Sequence, residues 1–174
     1  MVEIEYELTF LAKSIPNEIK NLKPVEVIDY YIPESGVIHP HLRIRSNKAR
    51  YEITKKQPIN GSDSSEQSEH TISISMEEYN DLVKDRHRSV IKHRYSTVYM
   101  GHRLDVDVFK GSLKGLVLID FEFNSKKDKD KFKAPDFCLA DVTQESFIAG
   151  GLLAGKSYQD IEKELARYSY QKLA

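Results

Sequence analysis

The sequence predicts an α+β, mainly β protein: about eight antiparallel strands and two or three helices, with the charged strand faces turned inward where the sheet closes on itself. Three observations carry that prediction. Two-residue alternation of apolar and polar side chains recurs along the chain, the mark of strands with one dry face. Like charges are sorted onto single strand faces, whereas a solvated sheet carries them mixed. The opposite faces are rich in Ile, Val, Leu, Phe and Tyr, which need cover from helices or loops.

The elements follow in order. Val2 to Leu11 is the first strand, with Glu3, Glu5, Glu7 and Thr9 on one side and Ile4, Tyr6, Leu8 and Phe10 on the other. Val27 to Ile32 and Leu42 to Ser46 come next, the latter setting Arg43 beside Arg45 and turning Leu42 and Ile44 away. Tyr51 to Lys56 and Thr71 to Ser75 continue the alternation. Between them, QPINGSDSSEQSE cannot bury itself and predicts a mobile loop. Met76, Tyr79, Leu82 and Val83 recur at helical spacing and predict a helix over Met76 to Arg86. Strands resume over Ser89 to Tyr99, Leu104 to Phe109 and Leu116 to Phe123, the last two joined by a turn at Lys110, Gly111 and Ser112. KKDKDK reads as a solvated turn and TQESFIA as helix. Ser157 caps a final helix running to about Leu173, with Ile161, Leu165 and Tyr168 as its apolar stripe.

The 174 residues suit one domain spanning 1–174, able to bury a core without disulfides or structural metals. The formal net charge of -1 is the difference between 26 basic and 27 acidic side chains, which argues against a general nucleic-acid coat and makes arrangement the informative property. One cysteine, Cys138, excludes an intramolecular disulfide. The six histidines lack metal-ligand spacing. The acidic start MVEIEYELTF is unlike a secretory signal, and no apolar run approaches the roughly 18 residues of a membrane span. A cytoplasmic protein with no membrane association is expected, as a monomer or homodimer.

The sorted charges point to chemistry. Glu5 and Glu7, Arg43 and Arg45, Lys92 and Arg94, Asp105 and Asp107, and Asp120 and Glu122 are each spaced i, i+2, so each pair projects from one side about 6.6 to 6.8 Å apart. Together with Lys56 they would line the interior of a closed sheet, except that Asp105, with Arg103, reads equally well as a fraying strand end. Charges so confined cost several kcal/mol each unless paired, so such an interior needs water, mutual ion pairs or a charged ligand. A polyphosphate with metal supplies both missing partners: basic side chains take phosphate oxygens, and carboxylates take magnesium or manganese. Each pair could equally lie on a solvated face, where surface ion pairs are worth little. Gly150, Gly155, Lys156 and Ser157 match the letters of a phosphate-binding loop, but without the preceding parallel strand that such a loop needs.

The ordered set of motifs resembles the CYTH superfamily of triphosphate tunnel enzymes over nearly the whole chain. Glu5 to Phe10 is similar to the family's E-x-E-x-K strand, with Thr9 where the lysine belongs. Leu42 to Arg45 resembles its L-R-x-R strand, Ile53 to Lys56 its L-T-x-K strand, and Lys92 to Tyr95 its K-x-R-Y strand. Asp107 to Phe109 resembles D-x-F, and Gly115 to Glu122 resembles G-L-x-x-x-E-x-E with Asp120 replacing one Glu. Val142 and Thr143 resemble the Val-Thr pair ahead of the C-terminal helices. The resemblance implies an eight-stranded antiparallel closed barrel, a tunnel with flanking helices, and metal-dependent attack on a triphosphate-bearing small molecule. It implies catalytic roles for Glu5, Glu7, Lys56 and Arg94, and phosphate binding by Arg43, Arg45, Lys56, Lys92 and Arg94. Glu5, Glu7, Asp107, Asp120 and Glu122 would hold Mg2+ or Mn2+. Inorganic triphosphate is the first substrate expected; an adenylate cyclase, or a non-catalytic triphosphate binder motivated by Thr9, are the alternatives.

Overall fold

The computed structural model describes residues 3–34, 39–48, 50–61 and 63–173. The elements are β1 (Glu3–Ala12), β2 (Val25–Ile32), β3 (Leu42–Asn47), β4 (Arg50–Pro58), β5 (Glu66–Ile74), α1 (Met76–Val83), β6 (Ser89–Tyr99), β7 (His102–Phe109), β8 (Val117–Phe123), α2 (Lys126–Lys131), β9 (Cys138–Asp141), α3 (Gly150–Leu153) and α4 (Tyr158–Ala166). In space the strands run β5-β4-β3-β2-β6-β7-β8-β1, and β1 pairs again with β5, so eight antiparallel strands close a barrel as expected. β9 adds to the outside of the ring along β1. Val2 lies outside the described residues. Among the described residues no helix is long and apolar enough to cross a membrane.

Closure sends alternate side chains in and out of the ring, and here the apolar set goes out. Phe10, Leu104, Val106, Val108, Val117, Ile119, Phe121 and Phe123 form one core on the outer face of β1, β7 and β8, where Phe132 packs against them. Phe121 is completely buried; its ring meets those of Phe132 and Phe10 at 4.5 and 6.0 Å. A second core seals one end of the barrel. Leu11, Val90, Phe109 and Leu118 continue the inward-facing rows past the charges, and they pack against Ile148, Leu153, Ile161 and Leu165 from the C-terminal segment.

Several local expectations are corrected. The two ends of QPINGSDSSEQSE are strand: β4 runs to Pro58 and β5 starts at Glu66, with Gln57 opposite Ser68. The physical reason is closure, because Glu66 to Glu69 must pair with Glu3 to Tyr6. Asp63 accepts from the Ser65 backbone N–H and hydroxyl and folds the shortened turn. KKDKDK is the helix α2, capped by Ser125. Its Lys129 is buried and lies 3.4 Å from Glu66, which also pairs with Lys126. α1 stops at Val83, and the helical residues of TQESFIA are one 3-10 turn, at 146–148. The last helix ends at Ala166 because the tail turns back to the barrel. There the Tyr170 hydroxyl accepts from the Val117 N–H and donates to the Gly115 carbonyl.

Candidate active site

The barrel encloses a cavity of about 1210 Å³ lined by the inward rows of all eight strands. Glu5, Glu7 and Thr9 come from β1, Arg43 and Arg45 from β3, Thr54 and Lys56 from β4, Lys92 and Arg94 from β6, Asp105 and Asp107 from β7, and Asp120 and Glu122 from β8. Strand alternation therefore brings every predicted site residue into one lumen, and it selects Lys56 over Lys55. Arg103 joins them from β7. His93 faces outward, half-exposed, 3.8 Å from Glu26.

The lumen is a lattice of ion pairs. Arg94 donates to both oxygens of Asp107 at 2.7 Å, and its Nη1 lies 3.0 Å from Asp105. Lys92 pairs with the same Asp107. Burial works against the Asp107 carboxylate, but Arg94 and Lys92 together hold it below the usual carboxylate range. Lys56 pairs with Glu5, and with Glu7 at 2.8 Å. Arg103 reaches Asp105 at 3.1 Å and Glu122 at 3.5 Å. Arg45 donates Nε and Nη2 to the buried Asp29 at 2.6 and 2.8 Å. Arg43 Nε, itself buried, makes no hydrogen bond.

Some of these carboxylates lack a full cationic partner. Burial, and then Glu7 and Asp107 nearby, push the Asp120 carboxyl up to about 8. Burial and Glu7 likewise push Glu5 up to about 7, although Lys56 pulls the other way. Burial raises Glu122 above its ordinary value. The β1–β8 register sets Glu7 opposite Glu122 and Thr9 opposite Asp120, so these oxygens face one another across adjacent strands. Hard oxygen donors that repel one another when ionised are the set that fits magnesium or manganese. Among the described residues no three acidic or histidine side chains already converge as a metal site. The reason is visible in the pairs: Glu5 and Glu7 lean on Lys56, Glu122 on Arg103, and Asp120 accepts from the Thr9 hydroxyl at 2.8 Å. Glu5, Glu7, Asp120 and Glu122 could hold the ion once a phosphate draws those cations away. Asp107, whose oxygens accept from Arg94 and Lys92, would join them only if a phosphate draws those two cations away as well.

No protein-family model matches the chain, and no curated protein does. Solved structures do. The inorganic triphosphatase NE1496 is 27% identical, with 88% of this chain and 95% of that one covered and a TM-score of 0.62. A second structure of NE1496, described as a hypothetical protein, is also 27% identical over 88% and 99% of the two chains, with a TM-score of 0.63. A Bacillus halodurans protein, named as a candidate adenylate cyclase, shares the fold at 16% identity, over 99% and 93% of the chains, with a TM-score of 0.58. The shared fold agrees with the resemblance to the CYTH superfamily read from the motifs.

Among the motifs that resemble that superfamily, Thr9 is a departure. Thr143, of the Val-Thr pair, fixes that position: its hydroxyl accepts from the Thr9 N–H at 3.0 Å and lies 2.6 Å from Asp141. The phosphate-loop letters have a packing explanation instead. A Cβ on Gly150 would come within 2.0 Å of the Tyr31 hydroxyl, and one on Gly155, whose φ is +81°, within 2.7 Å of Arg88 Nε. Sequence reasoning missed Asp29. The signal was present, since aspartate is depleted in strand interiors and Asp29 sits inside VEVIDYYI.

Proposed function

We propose that this chain is a divalent-metal-dependent triphosphatase acting on a triphosphate held in the barrel, inorganic triphosphate first. The observation that carries the reading is the combination, in one lumen, of a buried arginine Nε without a hydrogen bond and carboxylates short of cations. The 27% identity to an inorganic triphosphatase over 88% of the chain supports it. A triphosphate carries about four negative charges near neutral pH, which Arg43, Arg45, Lys56, Lys92 and Arg94 meet with five positive ones. Glu5, Glu7, Asp120 and Glu122 hold the metal, which when bound supplies Lewis-acid polarisation of a phosphate oxygen. Glu5 and Glu7, on one strand face beside that site, would also orient the attacking water. Arg94 and Lys56 neutralise charge on the transferring and leaving phosphates, and the products are orthophosphate and a diphosphate.

Phosphate release from inorganic triphosphate, ATP and thiamine triphosphate with Mg2+ or Mn2+ tests this, beside an Arg43→Ala, Glu122→Gln double variant. Release lost in the variant supports the hydrolase and ranks its substrates. Cyclic AMP formed from ATP would identify a cyclase instead. Thr9 favours one further reading, a binder that turns over slowly, because a hydroxyl cannot neutralise developing charge as an ammonium does. Tight metal-dependent binding without turnover in the wild type, and turnover gained by Thr9→Lys, would establish that reading.

A further inference from the structure

Asp29 has no part in the chemistry above, yet it sits beneath its arginines. It lies on β2 opposite Arg45 of β3 and is completely buried. Its two oxygens accept from Nε and Nη2 of Arg45, and Arg43 Nε stands 3.9 Å from Oδ1 without a hydrogen bond. Stability is a poor reason for such a pair, because well-packed apolar side chains of similar volume usually hold a fold as well or better. What the pair does supply is orientation. A bidentate carboxylate fixes the plane of a guanidinium. With its Nε and Nη2 edge on Asp29, Arg45 can turn only its remaining donors, chiefly Nη1, to a ligand. Arg43, held near the same carboxylate but not bonded to it, keeps Nε for an anion.

We propose that Asp29 is the positioning residue of the arginine pair: it locks the Arg45 fork and leaves Arg43 open, so that the two guanidinium groups meet a polyphosphate in a set arrangement. This rests on the triphosphate reading above.

The test is calorimetric affinity for inorganic triphosphate with Mg2+, measured on the full chain. Wild type, Asp29→Asn, Arg45→Gln, the Asp29→Asn, Arg45→Gln double variant and Arg45→Lys are compared, each checked by thermal melting. Asp29→Asn is expected to weaken binding about tenfold or more, as removal of an orienting partner commonly does. Because Asp29 acts through Arg45, the double variant should bind within about twofold of Arg45→Gln alone. Arg45→Lys, which keeps the charge pair but loses the fork, should weaken binding like Asp29→Asn. Should Asp29→Asn fail to fold, the neutral double variant and Arg45→Lys carry the test, and wild-type affinity in Arg45→Lys overturns the proposal. Additive losses in the double variant, or unchanged affinity in a folded Asp29→Asn, overturn it as well. A wild type that binds no triphosphate defeats the functional reading itself and this inference with it; wild-type binding with Asp29→Asn unchanged defeats this inference alone.

Discussion

Arg94→Gln is the substitution that most directly measures what the charged lumen costs the fold. The guanidinium bonds both oxygens of Asp107 at 2.7 Å and reaches Asp105 at 3.0 Å and Asp120 at 3.6 Å. Without it, Asp107 keeps Lys92, Asp105 keeps the half-exposed Arg103, and Asp120 keeps the Thr9 hydroxyl. Removing one partner of a buried ion pair costs about 3 to 5 kcal/mol, out of a total stability of about 5 to 15 kcal/mol. With a urea dependence near 2 kcal/mol per molar, the unfolding midpoint at pH 7 should fall by about 1.5 to 2.5 M. The deficit should also shrink between pH 7 and pH 5. In the variant the stranded carboxyls are raised, so the folded chain binds protons that the unfolded chain does not, and stability recovers as pH falls. In the wild type Asp107 is depressed and contributes no such gain above about pH 4. A midpoint within 0.5 M of wild type, about 1 kcal/mol at that slope, or a deficit unchanged at pH 5, would refute the reasoning.

Three other outcomes follow from the same geometry. Asp120, pushed up to about 8, holds a proton in the folded chain that the unfolded chain gives up above about pH 4. Stability in metal-free buffer should therefore fall as pH rises toward 8, by about 1 kcal/mol per unit from this group. Asp120→Asn should flatten that slope in urea unfolding from pH 5 to 8, and equal slopes would count against it. Gly150→Ala drives a methyl into the Tyr31 hydroxyl and should cost about 1 to 3 kcal/mol, read as a lowered melting temperature. Tyr170→Phe strands the Val117 N–H and the Gly115 carbonyl and should cost about 1 to 3 kcal/mol by the same measurement.

The sequence carried the barrel walls because alternation is written residue by residue: Arg43 and Arg45, or Glu5 and Glu7, can share a face only if the chain is extended. It did not carry β9, whose four residues, Cys138–Asp141, are too few to show a period and pair only because β1 is already in place. KKDKDK misled because charge alone does not decide exposure; Glu66, distant in sequence, gives Lys129 a buried partner. Asp29 stands out as a charge inside an apolar strand, but its role depends on Arg45 sixteen positions away. The site residues were legible as types on faces. Their pairing was not, because cross-strand register is a property of the closed ring.

The place of β1 in the ring bears on how the chain can assemble. β2 through β5 and β6 through β8 are meanders in which each strand can pair with its neighbour in sequence as soon as both exist. β1 has no such neighbour: its ladder partners lie at 66–69, 118–123 and 138–141. Long-range pairings of this kind are slow to form, because loop closure must precede the contacts that reward it. The segment bearing Glu5, Glu7 and Thr9, like the β2–β6 ladder, therefore pairs only after a long loop has closed. Until it does, Asp120 and Glu122 face solvent, and the polar interior exists only as an open trough.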